Sequence, residues 1–397
     1  MHPFELTSVG RIVFGRGKFQ SVGEIAAGFG HSALVVTTAS HGGVQSVFER
    51  AQKLLSEKGI ACAQFSVKGE PTANEVDAGV AAAKASRCDL LIGLGGGSAI
   101  DAAKAIAGLL GNGGVALDYM EVVGRGQKIT QPALPWIAVP TTAGTGAEAT
   151  RNAVIGCPEK SFKASIRSEQ LLPKVALIDP ELALTLPPAI TASCGMDAMT
   201  QLIESYTSTG ANPVTDALAL QGLRLAARSL KRAWRDGSDY EAREDMALAA
   251  LLSGITLANA GLGAVHGFAA PLGARFPVPH GTVCAALLPH VIAANISALR
   301  TAGTEAGATA AGSLARYAEV GRVLFGNHRP DEEALEAAEV IPAELVKQFK
   351  IPALASFGIT EKDVPELVGL AQKSSSMRYN PVVLPPEVLT WILRSAL

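Results

Sequence analysis

The hydrophobic pattern of the first half of the chain alternates between short apolar runs and longer segments with helical spacing. Apolar and β-branched residues dominate the predicted strands, which lie at 32–38, 61–67, 89–94, 135–139 and 174–178. Apolar residues that recur every three or four positions predict helices between them, at 45–58, 74–86 and 99–110. Strands that alternate with helices in this way indicate an α/β domain, with a parallel sheet covered by helices on both faces.

The second half of the chain has helical periodicity almost throughout and shows no strong strand pattern. Asn212 followed by Pro213 is typical of a helix start, because Asn is a favoured N-cap and Pro suits the first helical position. Helical periodicity also covers 245–260 and 332–349. The pattern changes after residue 187, so we predict an α/β domain over 1–187 and an all-helical domain over 188–397.

Composition narrows the class of protein. The 34 Lys and Arg residues nearly balance the 36 Asp and Glu residues, which argues against a nucleic-acid-binding protein. Five scattered cysteines without a CxxC pair predict free thiols, as in a cytoplasmic enzyme. We find no signal-peptide pattern at the N-terminus and no uncharged apolar run of the ~20 residues that a membrane span needs, so we expect no membrane partner.

A glycine turn follows the third predicted strand. The strand at 89–94 runs into Gly95, Gly96, Gly97 and Ser98, and a helical pattern begins at once. Glycine allows a sharp turn and the close approach of a ligand, and a helix N-terminus offers free N–H groups to a phosphate. The turn is either a cradle for the pyrophosphate of a dinucleotide or a plain connection, and three successive glycines favour the cradle.

A second polar loop, 140–148, follows the next predicted strand and contains Thr141, Thr142 and Thr145. Ligands of open α/β sheets bind beyond the carboxyl ends of the strands, so these hydroxyls are candidates for contacts with a nicotinamide or a phosphate. An ordinary capped loop is the alternative. Thr38, at the end of the first predicted strand, is a candidate by its position. No carboxylate or arginine stands there to select the cofactor, so NAD and NADP both stay open.

Candidate metal ligands lie in the second half of the chain. Asp197 and Gln201 are four residues apart, so on a helix they share one face. His266 and His280 lie in a glycine-rich segment with few other charges. Two imidazoles and a carboxylate suit a divalent metal, with the Gln201 amide oxygen as a weaker fourth ligand. Hydrogen-bonded core histidines are the alternative, and the spacing does not decide between them.

Six segments together resemble the iron-containing (group III) alcohol dehydrogenases along nearly the whole chain. They are GRIVFG at 10–15, GGGSAIDAAK at 95–104, PTTAGTGAE at 140–148, IDPEL at 178–182, GMDAM at 195–199, and the stretch from His266 to Gly281. The resemblance implies a dehydroquinate synthase-like architecture, in which a dinucleotide-binding α/β domain precedes an all-helical metal domain. It also implies reversible hydride transfer between an alcohol and NAD or NADP, in a homodimer or higher homo-oligomer.

The resemblance implies a role for each matching residue. The pyrophosphate would be bound by Gly96, Gly97 and Ser98, with Asp101 just inside the following helix. The nicotinamide half and the phosphates would face Thr141, Thr142 and Thr145, and the cofactor ribose would be reached by Lys163. Three of the family's four metal ligands match Asp197, His266 and His280, and the two histidines are also our catalytic candidates.

Three positions depart from the family pattern. Gln201 stands where the second metal ligand is usually His, and Ala270 stands where a His near the nicotinamide is common. Cys194 replaces a Thr or another small residue before the GMDAM segment. An amide oxygen is a weaker ligand than an imidazole for the softer divalent metals. Three states therefore stay open: a retained Fe2+ or Zn2+ site with Gln201 as ligand, a site filled only at high metal concentration, and a metal-free site.

We expect an alcohol dehydrogenase in which the metal polarises the substrate oxygen. A retained metal is favoured because three of the four ligands persist together. The first alternative is a metal-independent reductase of an oxo acid, like the related maleylacetate reductases, in which His266 or His280 donates a hydrogen bond to the carbonyl. The second is a dinucleotide-binding protein without catalytic activity. The substrate is expected to be a small alcohol or aldehyde, with no nucleic acid as partner.

Overall fold

The structure, a computed structural model, describes residues 3–38, 42–160, 162–302, 307–326 and 328–397. The chain forms two compact units, Thr7–Leu186 and a second unit in which Met1–Leu6 joins Pro187–Leu397. The predicted division at 187/188 differs from these units by one residue at the boundary and in the first six residues. Nothing in the hydrophobic pattern of that short segment distinguishes it from the α/β domain that follows.

The first unit is built on a parallel sheet of six strands. In spatial order the strands are β1 (Ile12–Phe14), β8 (Val175–Ile178), β5 (Trp136–Pro140), β4 (Leu90–Gly95), β2 (Ser32–Thr38) and β3 (Ala61–Val67). The helices between them are α1 (Val22–Ala27), α2 (Gly42–Ser56), α3 (Ala73–Ala85), α4 (Gly97–Asn112) and the short α5 (Ala116–Tyr119). The predicted α/β class is confirmed, because each of the described strand pairs in this sheet is parallel.

Helices cover both faces of the sheet because its buried strands are apolar on both sides. In β2, Leu34 and Val36 face a core that they share with α3 and α4, whereas Ala33 and Val35 face a core shared with α1 and α2. Successive side chains of a strand point to opposite faces of the sheet. When both faces are buried, every position is apolar, so the strand appears in the sequence as a continuous apolar run. This explains why the strands at the centre of the sheet were predicted from the sequence.

Two β elements of the first unit were missed. β1 has only three residues, all partly exposed, so its apolar signal is weak. The antiparallel hairpin of β6 (Asn152–Cys157) and β7 (Phe162–Arg167) is half-exposed and lies in a second, two-stranded sheet. The predicted helix at 74–86 begins one residue earlier, and its N-cap is Thr72 rather than Asn74. The Thr72 hydroxyl accepts the Glu75 N–H and the Glu75 carboxylate accepts the Thr72 N–H, which is a capping box.

The second unit is helical, and its described residues contain no strand. Its helices are α6 (Pro188–Thr207), α7 (Pro213–Arg235), α8 (Tyr240–Ala260), α9 (Ala264–Arg275), α10 (His280–Ala302), α11 (Gly307–Phe325), α12 (Asp331–Gln348), α13 (Val364–Gln372) and α14 (Pro386–Ser395). The predicted start of α7 is confirmed: the Asn212 side chain accepts the N–H groups of Val214 and Thr215, and Pro213 is the first helical residue. Asn212 thus pairs N–H groups that have no partner within the helix, and Pro213 has no N–H that would need one.

By its length and composition, helix α10 could cross a membrane. The bent pair α8 and α9 could also do so if the two helices formed one span. The expectation that no uncharged apolar run reaches the ~20 residues of a membrane span is wrong for this helix, in which Arg300 is the first charged residue. Of its most apolar window, 78% is buried inside the protein. Such burial is the ordinary property of a core helix.

Candidate metal centre and nucleotide loops

The glycine turn of the first unit ends β4 and begins α4. Gly95 has a φ of +155°, and a Cβ at this position would lie 2.8 Å from the Ala99 Cβ, so the turn requires glycine. Gly96 is the N-cap of α4, and no side chain caps this helix. The first N–H groups of α4 are therefore available at the positive end of the helix dipole, where an anionic phosphate is favoured.

The threonine loop lies directly against this turn. The Thr141 N–H donates to the Gly95 carbonyl over 2.9 Å, in register with the pairing of β4 and β5. Cβ atoms built at the glycines would lie 3.3 Å from the Thr142 hydroxyl at Gly96 and 2.9 Å from the Thr145 hydroxyl at Gly97. A side chain at either glycine would therefore crowd the threonine hydroxyls.

Thr38 belongs to the same edge of the sheet. Its hydroxyl lies 3.6 Å from the Cβ position of Gly95, at the carboxyl end of β2. The structure thus brings together Thr38, the glycine turn and the threonine loop, all of which the sequence placed at strand ends. Their roles toward a cofactor stay predictions, and their convergence at one strand edge supports them.

Asp101 and Lys163 are engaged with other protein groups. The Asp101 carboxylate, in the second turn of α4, accepts the Val154 N–H over 3.1 Å and lies 3.5 Å from the Lys104 ammonium. Lys163, on β7, forms an ion pair with Glu70. Asp101 therefore holds α4 to the hairpin, and any contact of Lys163 with a ribose would compete with Glu70.

A buried carboxyl in the threonine loop gives this unit a pH-dependent stability. Burial raises the pKa of Glu148 to about 7, although the positive charge of Lys104 opposes the rise. Because the folded-state pKa exceeds the unfolded value, the stabilisation by the bound proton is complete below about pH 4.5. It is lost as the pH rises through 7, at a cost of about 3 kcal/mol in the free energy of unfolding.

We therefore expect Glu148→Gln to gain stability relative to the wild type as the pH rises from 5 to 8. Urea unfolding of both proteins at several pH values measures this difference directly. Glu57→Gln, at an exposed position of the same unit, is the control and should follow the wild type. A difference between Glu148→Gln and the wild type that stays constant across this range contradicts the assignment.

The helical unit brings four potential metal ligands together. One ligand atom from each of Asp197, His266, His280 and Cys284 lies within 4.8 Å of the corresponding atoms of the other three. The Asp197 Oδ1 lies 3.5 Å from the His266 Nε2 and 3.6 Å from the His280 Nε2. Asp197, His266 and Cys284 are buried, whereas the His280 side chain keeps 38% of its surface exposed. The cluster is thus accessible from one side.

Close helix packing positions the Asp197 carboxylate. Gly195 faces α7, and a Cβ there would lie 2.1 Å from a methyl group of Leu230. Burial would raise the pKa of Asp197, but the charges of His280 and His266 hold that pKa below its usual value. The Oδ1 atom is buried without a hydrogen-bond partner. A buried carboxylate oxygen without a partner is costly, and a cation at this point would satisfy it.

His266 is oriented by a second carboxylate. Its Nδ1 donates to the Glu204 Oε2 over 2.6 Å, and the other Glu204 oxygen accepts the Val265 N–H over 2.7 Å. This fixes the imidazole so that Nε2 points at Asp197, and a neutral ring that keeps its proton on Nδ1 would offer the Nε2 lone pair to a metal. A carboxylate behind the distal nitrogen of a ligand histidine is the usual support of a metal-binding imidazole.

Gln201 is buried on α6, one turn after Asp197, as the spacing predicted. Its amide oxygen accepts the Ser253 hydroxyl over 2.6 Å. Its role as a ligand stays a prediction, although part of its acceptor capacity is used by the serine.

Sequence reasoning missed two residues of this site, the supporting carboxylate Glu204 and the cluster member Cys284. Glu204 lies seven residues after Asp197, so both occupy one face of α6, and this spacing could have identified it. Cys284 lies four residues after His280, so both occupy one face of α10, and the same spacing was available. Cys284 was passed over because the cysteines were assessed by their pairing with one another, not with histidines.

We expect Glu204→Gln to weaken metal binding by roughly 10–100-fold, the usual effect of removing a carboxylate behind a ligand histidine. Zinc titration monitored with a competing chelator measures the affinity. Activity should return when excess metal is supplied, because the ligands themselves remain. Glu241→Gln, at an exposed position on α8, is the control. Unchanged metal affinity in Glu204→Gln would show that the carboxylate does not support the site.

Comparison with known proteins covers both units. The family profile described as iron-containing alcohol dehydrogenase matches residues 10–180. The profile of the Fe-containing alcohol dehydrogenase family, C-terminal, matches residues 191–397. The two profiles together cover most of the chain.

Individual relatives match along nearly their whole lengths. The chain is 34% identical over 389 residues to an NAD-dependent methanol dehydrogenase of Bacillus methanolicus, and the aligned region covers 97% of each sequence. It is 36% identical over 373 residues to a 1,3-propanediol dehydrogenase of Klebsiella pneumoniae, and the aligned region covers 92% of each sequence. The crystal structure of a 1,3-propanediol oxidoreductase matches with a TM-score of 0.89 at 34% identity, over 100% of both chains.

Proposed function

This chain belongs to the iron-containing alcohol dehydrogenase family, and from that premise we propose that it interconverts an alcohol and its aldehyde with NAD as cofactor and a divalent metal at the Asp197 cluster. The resemblance inferred from the sequence motifs is confirmed by the two family profiles. The predicted enzyme class, an alcohol dehydrogenase, is confirmed by the same profiles and by the dehydrogenases that match along the chain.

The observation that carries the metal proposal is the buried Asp197 Oδ1. This atom has no hydrogen-bond partner, and two imidazole nitrogens lie 3.5 and 3.6 Å from it. The donor chemistry also fits, because carboxylate and imidazole together suit Fe2+ and Zn2+. In this proposal, Asp197 supplies charge, and His266 and His280 supply neutral nitrogen ligands.

Each part of the chain has a defined task in the proposed reaction. A divalent metal in this cluster would act as a Lewis acid on the substrate oxygen. The nicotinamide cofactor carries the hydride chemistry. Glu204 holds the His266 ring in the orientation that directs Nε2 at the site. The first N–H groups of α4 bind the pyrophosphate at Gly96, Gly97 and Ser98. Ala270 offers no proton donor, so the proton relay comes from another group.

We propose NAD rather than NADP because the Bacillus methanolicus relative is named as NAD-dependent and a structural neighbour, a sulfoacetaldehyde reductase, is described in complex with NAD+. A cytoplasmic location is proposed from the five cysteines, all of which are free thiols. A homodimer or higher homo-oligomer is proposed with support from β1. This strand pairs only with β8 among the described residues, and its Ile12 is 39% exposed. Light scattering of the purified protein would measure the oligomeric state.

One experiment tests the proposed function against its alternatives. Protein purified without chelator is analysed for bound metal, and oxidation of NADH and NADPH is measured against a panel of aldehydes, before and after treatment with EDTA. The proposal expects stoichiometric metal and NADH-dependent turnover that EDTA abolishes. Activity that EDTA leaves unchanged, with no bound metal, would instead support a metal-independent reductase. NADH binding without turnover of any carbonyl compound would support a non-catalytic protein.

A further inference from the structure

We propose that the Cys284 thiolate is the fourth protein ligand of the metal centre, in the place that the family gives to a histidine at position 201. The site would therefore prefer Zn2+ to Fe2+. This inference rests on the proposed function, because it presupposes that the chain holds a metal.

Four distances between the donor atoms match those of a tetrahedral zinc site. Zinc bonds of about 2.3 Å to sulfur and about 2.0–2.1 Å to nitrogen, at tetrahedral angles, separate the sulfur and nitrogen atoms by about 3.5 Å. The Cys284 Sγ lies 3.7 Å from the His266 Nε2 and 3.6 Å from the His280 Nε2. The same bond lengths separate nitrogen and carboxylate oxygen by about 3.4 Å. The observed distances from the Asp197 Oδ1 to these nitrogens are 3.5 and 3.6 Å.

The backbone supports a paired role for His280 and Cys284. His280 is the first residue of α10, and Cys284 follows one turn later, so both side chains project from one face of the helix. Cys284 is fully buried, and both of its nearest hydrogen-bonding neighbours are imidazole nitrogens of the cluster. The helix thus presents nitrogen and sulfur donors to the same point.

Gln201 is a poorer candidate for the fourth ligand. Its amide oxygen already accepts the Ser253 hydroxyl over 2.6 Å, and an amide carries no charge. With the Asp197 carboxylate and a Cys284 thiolate, the protein supplies two negative charges that balance a divalent cation. A neutral buried site avoids the desolvation cost of an uncompensated charge.

The choice of ligand decides the preferred ion. Thiolate is a soft ligand that favours zinc, and tetrahedral sites with sulfur and nitrogen ligands are typical of zinc. A substrate oxygen would then bind as a fifth ligand, an expansion that zinc allows in enzymes. Replacement of an imidazole by a thiolate therefore shifts the selectivity of the site away from Fe2+. The site would be occupied by Zn2+ when both ions are supplied in equal amounts.

X-ray absorption at the zinc edge of the zinc-loaded wild-type protein tests the inference directly. We expect one sulfur neighbour at about 2.3 Å together with nitrogen and oxygen neighbours at about 2.0–2.2 Å. Cys284→Ser should lose the sulfur neighbour and bind Zn2+ at least 100-fold more weakly. Cys62→Ser, which replaces a half-buried thiol on β3, is the matched control. It should keep the sulfur neighbour of the zinc and the zinc affinity of the wild type.

A second measurement on the wild-type protein does not depend on the folding of any variant. In the cobalt-loaded wild-type protein, a Cys284 thiolate ligand should give a sulfur-to-cobalt charge-transfer band in the near ultraviolet, which absorption spectroscopy measures during a cobalt titration. Bound zinc with no sulfur neighbour, or bound cobalt with no such band, would overturn this inference and leave the proposed function intact. Failure to bind any metal stoichiometrically would overturn both.

Discussion

Replacement of Asp197 by asparagine should abolish stoichiometric metal binding and lower kcat/KM for alcohol oxidation by about a thousandfold or more. The Oδ1 atom is the buried acceptor without a partner, and it lies between two imidazole nitrogens. Asparagine keeps the shape of the side chain but removes the charge. Lewis-acid stabilisation by a metal is worth several kcal/mol, and each 1.36 kcal/mol changes the rate tenfold. Metal content after dialysis and kcat/KM with NAD+ are the two measurements.

The control for this variant is Asp331→Asn, the same chemical change at a carboxylate on α12 whose side chain is 76% exposed. It should retain its metal and a kcat/KM within about twofold of the wild type. If Asp197→Asn kept both its metal and its activity, the carboxylate would have no part in the proposed site.

Replacement of Lys104 by methionine should destabilise the first unit by about 3–5 kcal/mol. The Lys104 side chain is fully buried and its ammonium donates to the carbonyl oxygens of Ala147 and Asn152 over 3.0 and 2.7 Å. It also donates to the Thr150 hydroxyl over 2.8 Å and lies 3.5 Å from the Asp101 carboxylate. Methionine fills most of the space but leaves these acceptors without a partner, and removal of one member of a buried charged pair is strongly destabilising.

Urea unfolding of the variant and the wild type measures this loss. Lys84→Met, at an exposed position on α3, is the matched control, and its free energy of unfolding should stay within about 0.5 kcal/mol of the wild type. A loss below 1 kcal/mol in Lys104→Met would show that water or a shifted backbone replaces the ammonium. In that case, Lys104 would not hold α4 to the segment that follows the threonine loop.

The fold was predictable where burial makes the sequence pattern simple. Strands such as β2 and β4 are covered on both faces, so their continuous apolar runs identify them. β1 and the hairpin of β6 and β7 were not predictable in this way, because short or half-exposed strands carry little apolar signal. Thr72 was missed as a helix cap because Asn74 is also a favoured cap, and only the backbone geometry distinguishes them.

The candidate site was predictable as a set of residue types but not as an arrangement. Asp197, His266 and His280 were identified by chemistry and by resemblance, and the structure places their donor atoms together. The four-residue spacing pairs Cys284 with His280 on one face of α10, but its approach to His266 and Asp197 depends on the orientation of α10 relative to α6 and α9, which no local pattern encodes. The hydrogen bond from Ser253 to Gln201 likewise joins residues 52 positions apart, so the competition of Ser253 for the Gln201 amide oxygen was not predictable.

The contact between Gly195 and Leu230 has a consequence for mutational scans of this protein. A Cβ at residue 195 would lie 2.1 Å from a leucine methyl group, so Leu230 must change its rotamer or α6 and α7 must move apart. Either change disturbs the packing that places Asp197 on α6. A scan scored by enzyme activity would therefore rank residue 195 beside the ligands, although it binds nothing. Its role is that of a spacer, and a compensating Leu230→Ala should restore part of the activity lost in Gly195→Ala.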